Sequence, residues 1–497
     1  MIHIAQGRQG DIYAIQDPSS ISRTTIRDDA NRDHHLDDHA SHQHQSLDLQ
    51  DIDENGGLQG WQAIKLVYAP RHGAVKGRLP HNIRREVDLL RKIDHPNIIR
   101  VLGYTFDEET FEHRLVLPLY AITLTEMLQD QTFPFGPALH GGNVDNDDPR
   151  TTSSSLPSLS TTDRNKVAAT SKWIAYQLLS GVNHLHSMDP PVAHRDLNTS
   201  NIMLDWNGIL EIIDFGIAYS PPSEKTYDTD NHAERDVSPA QDDEGEEEVR
   251  ENKGFLYCDV GTGPFRAPEL LFSPTTYDPL EIDLWAVGCI IAQLFRPYTD
   301  RYEAVSTPSS PSSSSSSSSS TPAESCPTRQ VEHTHDYEYD VEREGDDELE
   351  DPLDGRPNYI TTPNRIRQPL FDSTYGSLGL ISSIFKILGT PTHESWPGFN
   401  LLPDSSKIEF PHSNPKCLID YLPEFNQVSK EDGRDILEIL GNLLKLDPKA
   451  RMSAQGVLNM RWFSGLPKGD PNTVGGKGVL GLWLDKARLT FNRKCIG

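Results

Sequence analysis

The sequence predicts an α+β fold of two lobes: a small β-rich N-terminal lobe with one key helix, and a larger, mainly α-helical C-terminal lobe. Strand-like runs dominate the first 119 residues, and apolar residues recur at helical spacing after residue 166. Long polar inserts separate these segments, but no internal repeat divides the chain further. We therefore expect one domain over residues 1–467, with its lobes meeting near residues 119 and 120, and a tail over 468–497.

The expected N-terminal lobe consists of strand-like runs and one helix. Ile2–Ile15 is predicted to form two strands around a glycine turn, and the chain begins so close to this turn that the first strand should be short. Trp61–Tyr68 is predicted to be the third strand. The helix expected over Asn82–Ile93 has one apolar face. Further strands are expected at Ile98–Tyr104 and Arg114–Leu119.

The expected C-terminal lobe is built from helices. Lys166–His186 is predicted to be a long helix with a continuous apolar face. Asp283–Phe295 is apolar over most of its length, which is typical of a buried helix. Helical periodicity returns at Leu378–Leu388 and Asp435–Leu446.

Four polar inserts interrupt this domain, and we expect them to be disordered because they contain few large apolar groups. They cover residues 17–57, 137–165, 221–253 and 302–356. Three acidic stretches within them carry net charges of −7 (17–54), −8 (221–253) and −11 (330–354). Because the whole chain has a net charge of −28, the folded body is close to neutral.

The composition argues against several classes of partner and site. An acidic surface repels nucleic acid and anionic membranes, and no run approaches the roughly eighteen apolar residues of a membrane-spanning helix. The five cysteines show no CxxC spacing, which argues against a disulfide framework or a zinc site and is typical of a reducing compartment. We therefore expect a soluble protein of the cytoplasm, the nucleus or both.

One short stretch combines a carboxylate, a carboxamide and a second carboxylate at fixed spacing. Asp196 lies five residues before Asn201, and Asp214 follows Asn201 by thirteen. An Asn-Gly turn between two short apolar runs predicts a hairpin over residues 202–213. Phosphoryl transfer from ATP needs a group that orients the attacking hydroxyl and oxygen ligands that hold Mg²⁺. We predict that Asp196 is the base and that Asn201 and Asp214 are the magnesium ligands.

Two further features are suited to hold ATP. Gly7 and Gly10 lie in a hairpin whose backbone amides can approach phosphate oxygens, although an ordinary hairpin has the same pattern. Lys65, on a predicted strand, can reach the phosphates, whereas most strand lysines are simply solvated. Glu86 lies in the middle of a predicted helix and can hold the lysine in place. We predict a Lys65–Glu86 ion pair.

Together these residues resemble the signature of eukaryotic protein kinases of the cyclin-dependent-kinase-like branch. The segment Pro80–Glu86 is similar to the PSTAIRE-type helix of that branch. Further matching segments, which extend the resemblance to about 300 residues, are His95–Ile99, Phe265–Glu269, Asp283–Cys289, Leu388–Pro391, Trp396–Gly398 and Leu446–Arg451. The resemblance implies a protein kinase fold that uses ATP and Mg²⁺ to phosphorylate a protein substrate.

The resemblance also implies how the nucleotide is bound. Leu117 corresponds to the gatekeeper, and Pro118, Leu119 and Tyr120 correspond to the hinge that faces adenine. Ala5 stands where the family has the first glycine of its loop. The expected nucleotide-binding set is Ala5, Gly7, Gly10, Ile12, Ala63, Lys65, Glu86, Leu117, Leu119, Tyr120, Asn201 and Asp214.

Thr262 corresponds to the threonine that contacts the catalytic aspartate in serine/threonine kinases. It joins Asp196, Lys65 and Asn201 in the expected catalytic set, and it favours serine/threonine over tyrosine specificity. Outside the catalytic set, Glu269 and Arg451 correspond to a structural ion pair of the family.

Two positions besides Ala5 depart from the family pattern. Asn198 replaces the lysine that contacts the transferred phosphate in serine/threonine kinases. Tyr257 occupies the place of the activating threonine, and no Ser or Thr occurs between Lys253 and Gly261. This second feature resembles the divergent fungal CDK-activating kinases, which act upstream of cyclin-dependent kinases. We hypothesise activity without T-loop phosphorylation, with the acidic insert supplying negative charge near Arg195.

Three functions remain open from the sequence alone. The first is an active serine/threonine kinase that phosphorylates the T-loop of a cyclin-dependent kinase, with a cyclin possible but not required. The second is a cyclin-dependent kinase that needs a cyclin. The third is a pseudokinase scaffold whose acidic inserts recruit basic partners, which Ala5, Asn198 and the long inserts favour. All four catalytic positions are nevertheless present, and such positions drift readily when no chemistry is needed.

Overall fold

A computed structural model describes residues 2–7, 10–16, 60–68, 82–129, 161–221, 251–252, 254–302, 363–423, 425, 428–464 and 466. Most of the four predicted inserts and the predicted tail lie outside these residues. The chain divides into a large unit, Met1–Thr299 with Arg365–Gly497, and a small unit, Asp300–Asn364. The functional residues predicted from the sequence all belong to the large unit.

The N-terminal lobe is a five-stranded antiparallel sheet with one helix. The strands are β1 (Ile2–Gly7), β2 (Gly10–Gln16), β3 (Trp61–Tyr68), β4 (Gly103–Asp107) and β5 (Glu112–Pro118), in the spatial order β1-β2-β3-β5-β4. Helix α1 (Ile83–Leu90) begins after Asn82, whose side-chain oxygen accepts hydrogen bonds from the N–H groups of Arg84 and Arg85. Glu86 lies on the buried face of α1 among apolar residues, so the helix carries a carboxylate on its inner side.

The C-terminal lobe is mainly helical. Its helices are α2 (Leu124–Gln129), α3 (Thr161–His186), α4 (Pro279–Gln293), α5 (Gly376–Leu388), α6 (Lys430–Leu443) and α7 (Ala454–Leu458). Helix α4 is buried along most of its length because apolar residues occupy every face, and it begins at the capping carboxylate of Asp278, with Pro279 in its first turn.

A small sheet in the order β6-β7-β8 links the hinge to the residues between Asn201 and Asp214. Its strands are β6 (Ile122–Thr123), β7 (Ile202–Leu204) and β8 (Leu210–Ile212). Strands β7 and β8 form the hairpin that the Asn-Gly turn predicts. Strands β9 (Tyr298–Tyr302) and β10 (Pro363–Arg367) form a separate two-stranded sheet.

Three predicted boundaries differ from the structure. Only Gly103 and Tyr104 of the strand predicted at Ile98–Tyr104 belong to β4, because Ile98 and Ile99 instead pair with Ile212 and are buried in the core of the C-terminal lobe. Residues 161–165, predicted to belong to an insert, form the start of α3, since a helix stabilised by its packed face extends into polar residues. Glu251, which lies in an insert predicted to be disordered, has a side chain that is only 6% exposed, because that side chain is paired with a cation of the folded lobe.

The fold class predicted from the sequence is confirmed: a β-rich lobe with one helix is joined to a helical lobe. The main apolar core lies in the helical lobe, around α3 and α4. Within the described ranges, no helix combines the length and the apolar character needed to span a membrane.

Candidate active site

Lys65 on β3 is paired with two carboxylates. Its Nζ lies 3.3 Å from each carboxylate oxygen of Glu86 on α1, and 2.7 Å from Oδ1 of Asp214. Lys65 and Glu86 are both buried. Burial alone lowers the pKa of Lys65, but the charges of Glu86 and Asp214 outweigh it and raise the pKa overall. The predicted Lys65–Glu86 ion pair is therefore present, and its lysine stays charged.

The glycine hairpin is formed by the ends of β1 and β2. Gly7 pairs with Gly10, and Ala5 pairs with Ile12, while the two residues at the tip lie outside the described ranges. Gly10 is required by a close approach, because a Cβ there would lie 1.8 Å from the carbonyl oxygen of Leu66 on β3. The side chain of Ala5 is exposed, so a methyl group is accommodated where the family has glycine.

The residues predicted to face adenine lie together on the N-terminal lobe and the hinge. Ile12, Ala63, Leu117 and Leu119 belong to one apolar cluster, and Leu117 on β5 is directly opposite Ala63 on β3. The indole of Trp206, which the sequence analysis does not identify, reaches this cluster from the turn between β7 and β8. Apolar surfaces of this kind suit the flat face of a purine.

Asp196 is held by two hydrogen bonds to its carboxylate. The hydroxyl of Thr262 donates to Oδ1 at 2.7 Å, and the amide of Asn201 donates to Oδ2 at 3.1 Å. Burial raises the pKa of Asp196, although the hydrogen bond from Thr262 lowers it. The structure thus brings together three of the residues predicted to be catalytic, around a carboxylate with increased proton affinity.

The backbone of this loop is fixed from below by Asp283 on α4. The carboxylate of Asp283 accepts hydrogen bonds from the N–H groups of His194 and Arg195, both at 2.8 Å. The ring of His194 lies 2.9 Å from the carbonyl oxygen of Ile213, the residue before Asp214. Arg195 and Asp214 have φ angles of 66° and 65°, which non-glycine residues rarely adopt. These contacts keep the two strained residues in place.

Asn201 and Asp214 fit the predicted magnesium site. The N–H of Ile213 donates to the carbonyl oxygen of Asn201 at 3.0 Å, so Asp214 follows directly beside Asn201. Because the amide nitrogen of Asn201 donates to Asp196, its amide oxygen points away from that residue. Over the described residues, no group of three or more His, Cys, Asp or Glu side chains is arranged for a metal. A carboxylate and a carboxamide oxygen suit Mg²⁺ when phosphate oxygens complete its shell.

Asn198, which replaces the usual lysine, has a structural place in the loop. Its side chain is 4% exposed, and its oxygen accepts hydrogen bonds from the N–H groups of Ser200 and Asn201. Its amide nitrogen donates to the carbonyl oxygen of Asp196 at 3.0 Å. Asn198 therefore caps the turn that carries Asn201, and its side-chain oxygen and nitrogen both bind backbone groups of the same loop.

Comparison with known proteins places this geometry in a family. A model of the protein kinase domain matches residues 59–303. Cyclin-dependent kinase 11.2 of Caenorhabditis elegans is 27% identical over 302 residues, which is 60% of this chain and 30% of that protein. Cyclin-dependent kinase 7 of Xenopus laevis is 24% identical over 417 residues, 83% of this chain and 76% of the relative. These matches support a serine/threonine protein kinase that is similar to the cyclin-dependent kinases.

The fold of the kinase is also similar to a solved structure, the CAK complex from Chaetomium thermophilum bound to ATP-gamma-S. The TM-score is 0.52 at 18% identity, with 95% of this chain and 93% of the other covered. At this identity the similarity concerns the fold alone. The protein kinase domain implies that the protein uses ATP.

Arg195 of the kinase makes a bidentate ion pair with a residue that the sequence analysis does not single out. Its two terminal nitrogens lie 2.6 and 2.7 Å from the carboxylate oxygens of Glu251. The side chains of Arg195 and Glu251 are 1% and 6% exposed. The same carboxylate accepts a hydrogen bond from the N–H of Tyr257 at 2.8 Å. Glu251 is one of twelve acids in its insert, and no sequence spacing distinguishes it from the others.

The structural ion pair implied by the family resemblance is present in the kinase. The guanidinium of Arg451 lies 2.7 and 2.8 Å from the two carboxylate oxygens of Glu269. Both residues are buried. The pair joins Glu269, at the end of the activation segment, to Arg451, in the segment that follows α6. It therefore stabilises the lobe on which substrates are expected to bind.

Glu211 on β8 is a buried carboxyl group behind the hinge. It accepts a hydrogen bond from the hydroxyl of Tyr120 at 2.6 Å. Burial is the largest effect on its pKa, which is raised to about 8. The charge of Asp205 also raises the pKa, whereas the hydrogen bond from Tyr120 and the charge of Arg100 lower it. The folded kinase therefore keeps a proton on Glu211 that the unfolded chain releases above a pH of about 4.5.

This proton makes the stability of the kinase fall as the pH rises from about 4.5 to 8. Between pH 6 and 8, wild type should lose about 2 kcal/mol more unfolding free energy than Glu211→Gln. Urea denaturation of both proteins at both pH values measures this difference. Burial raises the pKa of Asp205 to about 7. Because Asp205 is present in both proteins, its titration contributes to both pH profiles. Equal pH dependence in the two proteins would contradict the assignment.

Proposed function

We propose that the protein is an active serine/threonine kinase that phosphorylates the T-loop of a cyclin-dependent kinase. The observation that carries the proposal is the arrangement around Asp196. Its carboxylate is bound by Thr262 and Asn201, and Lys65 and Asp214 are paired in the same cleft. A chain that served only as a scaffold has no need to maintain this arrangement.

In the proposed reaction, Asp196 orients the substrate hydroxyl and accepts its proton as the oxygen attacks the γ-phosphorus of ATP. The bond from the γ-phosphorus to the bridging oxygen of ADP breaks, and the phosphoryl group moves to the hydroxyl oxygen. Lys65 binds the nucleotide phosphates, with Glu86 keeping its ammonium in position. Asn201 and Asp214 would hold Mg²⁺, which would supply charge neutralisation at the phosphates.

Activity without a cyclin is supported by contacts that hold α1 within the chain. The guanidinium of Arg84 lies 5.1 Å from the ring centroid of Phe106 on β4. The N–H of Asn82 donates to the carbonyl oxygen of Gly216, two residues after Asp214. These contacts hold α1 in the position in which Glu86 pairs with Lys65. Dependence on a cyclin is the competing proposal.

The proposed function is tested with the recombinant chain, MgATP and a cyclin-dependent kinase that lacks T-loop phosphate. We expect phosphate to be incorporated at the T-loop threonine without added cyclin, as measured by radiolabel transfer and mass spectrometry. The matched control substrate has valine at that threonine and should remain unlabelled. Labelling that appears only with a cyclin would favour the competing proposal. Phosphate transfer to a generic peptide but not to the T-loop would show that the chain is a kinase with another substrate.

Two predictions from the sequence remain predictions. The first is a cytoplasmic or nuclear location, and the second is that the partner is a protein and not a nucleic acid or a membrane. Nuclear and cytoplasmic fractions of cells that express the tagged chain test the location directly.

A further inference from the structure

Trp206 is a buried side chain of the C-terminal lobe that reaches the hinge. It is 1% exposed and packs with Ala63 and Leu119. Its indole N–H donates a hydrogen bond to the carbonyl oxygen of Leu119. A buried indole N–H needs an acceptor, and here the acceptor is a carbonyl group of the hinge.

The turn that carries Trp206 is fixed by its neighbours. Oδ1 of Asp205 accepts hydrogen bonds from the N–H groups of Asn207 and Ile209, at 2.8 and 2.7 Å. The N–H of Asp205 also donates to the carbonyl oxygen of Ile209 at 2.8 Å. The indole is therefore presented by a closed, hydrogen-bonded turn, which limits how far its N–H can move.

The hydrogen bond to Leu119 orients a second group of the hinge. The carbonyl of Leu119 and the N–H of Tyr120 belong to one planar peptide unit and point in opposite directions. Because Trp206 binds the carbonyl from the side of the hairpin, the N–H of Tyr120 points to the other side.

The two residues after Leu119 are also bound to the same hairpin. The hydroxyl of Tyr120 donates to Glu211 on β8 at 2.6 Å. The N–H of Ala121 donates to the carbonyl oxygen of Leu204 on β7 at 2.9 Å. Three consecutive residues, Leu119, Tyr120 and Ala121, are thus held by β7, β8 and their turn.

We propose that Trp206 is a positioning residue for ATP. Trp206 holds the Leu119–Tyr120 peptide so that the Tyr120 N–H donates to the acceptor nitrogen of adenine. The proposal rests on the proposed function, because it assumes that adenine occupies the cleft at the hinge. It assigns Trp206 no contact with the nucleotide and no part in the transfer step. Its effect is on nucleotide affinity and not on kcat.

The test compares Trp206→Phe with Trp462→Phe in the full chain. Trp462 is also 1% exposed, and its indole donates to Asp432 in the C-terminal lobe, so both variants lose one buried N–H. For Trp206→Phe we expect the Kd of ADP by calorimetry and the KM of ATP to rise about tenfold, as for the loss of one well-placed hydrogen bond. Its kcat should stay within about twofold of wild type, and Trp462→Phe should leave Kd and KM unchanged.

A second probe separates orientation from packing. 1-Deaza-ADP lacks the adenine N1 acceptor, so it should bind wild type and Trp206→Phe equally. An unchanged Kd of ADP, or an equal loss of affinity for ADP and 1-deaza-ADP in Trp206→Phe, would overturn the proposal. Absence of ADP binding in wild type would instead contradict the proposed function.

If Trp206→Phe does not fold, Tyr120→Phe provides an independent test of the same hinge contacts. It removes only the hydroxyl that donates to Glu211, and we expect a smaller rise in the Kd of ADP, about threefold. An unchanged Kd in Tyr120→Phe would show that the hairpin does not position the hinge for nucleotide binding.

Discussion

Asp196→Asn is expected to lower kcat by about three orders of magnitude, because the amide cannot accept the proton of the substrate hydroxyl. The variant should fold, since asparagine has nearly the same size and can still accept the hydrogen bond from Thr262 that aspartate accepts at 2.7 Å. Steady-state transfer of γ-phosphate to a peptide measures kcat, and calorimetry with ADP should give an unchanged Kd.

The matched control for this variant is Asp94→Asn, at an exposed residue that pairs with Arg100 on the surface. It removes the same charge far from the catalytic loop and should keep wild-type activity. If Asp196→Asn retained activity within about tenfold of wild type, Asp196 would not be the base. A wild-type chain with no transfer at all would support the scaffold function.

Glu251→Gln is expected to lower kcat/KM by about two orders of magnitude. Removing one partner of a buried ion pair costs about 3–5 kcal/mol, because the other charge remains buried without compensation. Here the remaining charge is Arg195, and the segment released also holds the N–H of Tyr257. We infer that Glu251 supplies, as part of the sequence, the negative charge that a T-loop phosphate supplies in cyclin-dependent kinases.

Phosphatase treatment of the recombinant kinase provides the complementary measurement. Treated wild type should keep its activity, and the surface variant Glu438→Gln, at an exposed position of α6, should behave like wild type. A phosphate-free kinase that remains inactive until Tyr257 or a residue of the acidic insert is modified would contradict the role of Glu251. So would full activity in Glu251→Gln.

Much of the site could be predicted because its residues lie at fixed spacing in the chain. Asp196, Asn201 and Asp214 are close in sequence, and a short hairpin separates the last two, so local turn geometry brings them together. Lys65 and Glu86 are further apart, but strand and helix periodicity place them on buried faces. The replacement of the loop lysine by Asn198 is visible in the sequence, whereas its capping hydrogen bonds are not.

What the sequence determined by itself was the family, the fold class and the identity of the residues expected to carry the chemistry, because these depend on short motifs and on periodicity. The tertiary structure alone decided which carboxylate meets Arg195 and which side chain supports the hinge. Glu251 lies 56 residues from Arg195, and Trp206 lies 87 residues from Leu119. Such pairings are set by tertiary packing between segments that are distant in the chain. A single acid in an acidic insert or a tryptophan in a turn has no sequence signal that identifies its partner.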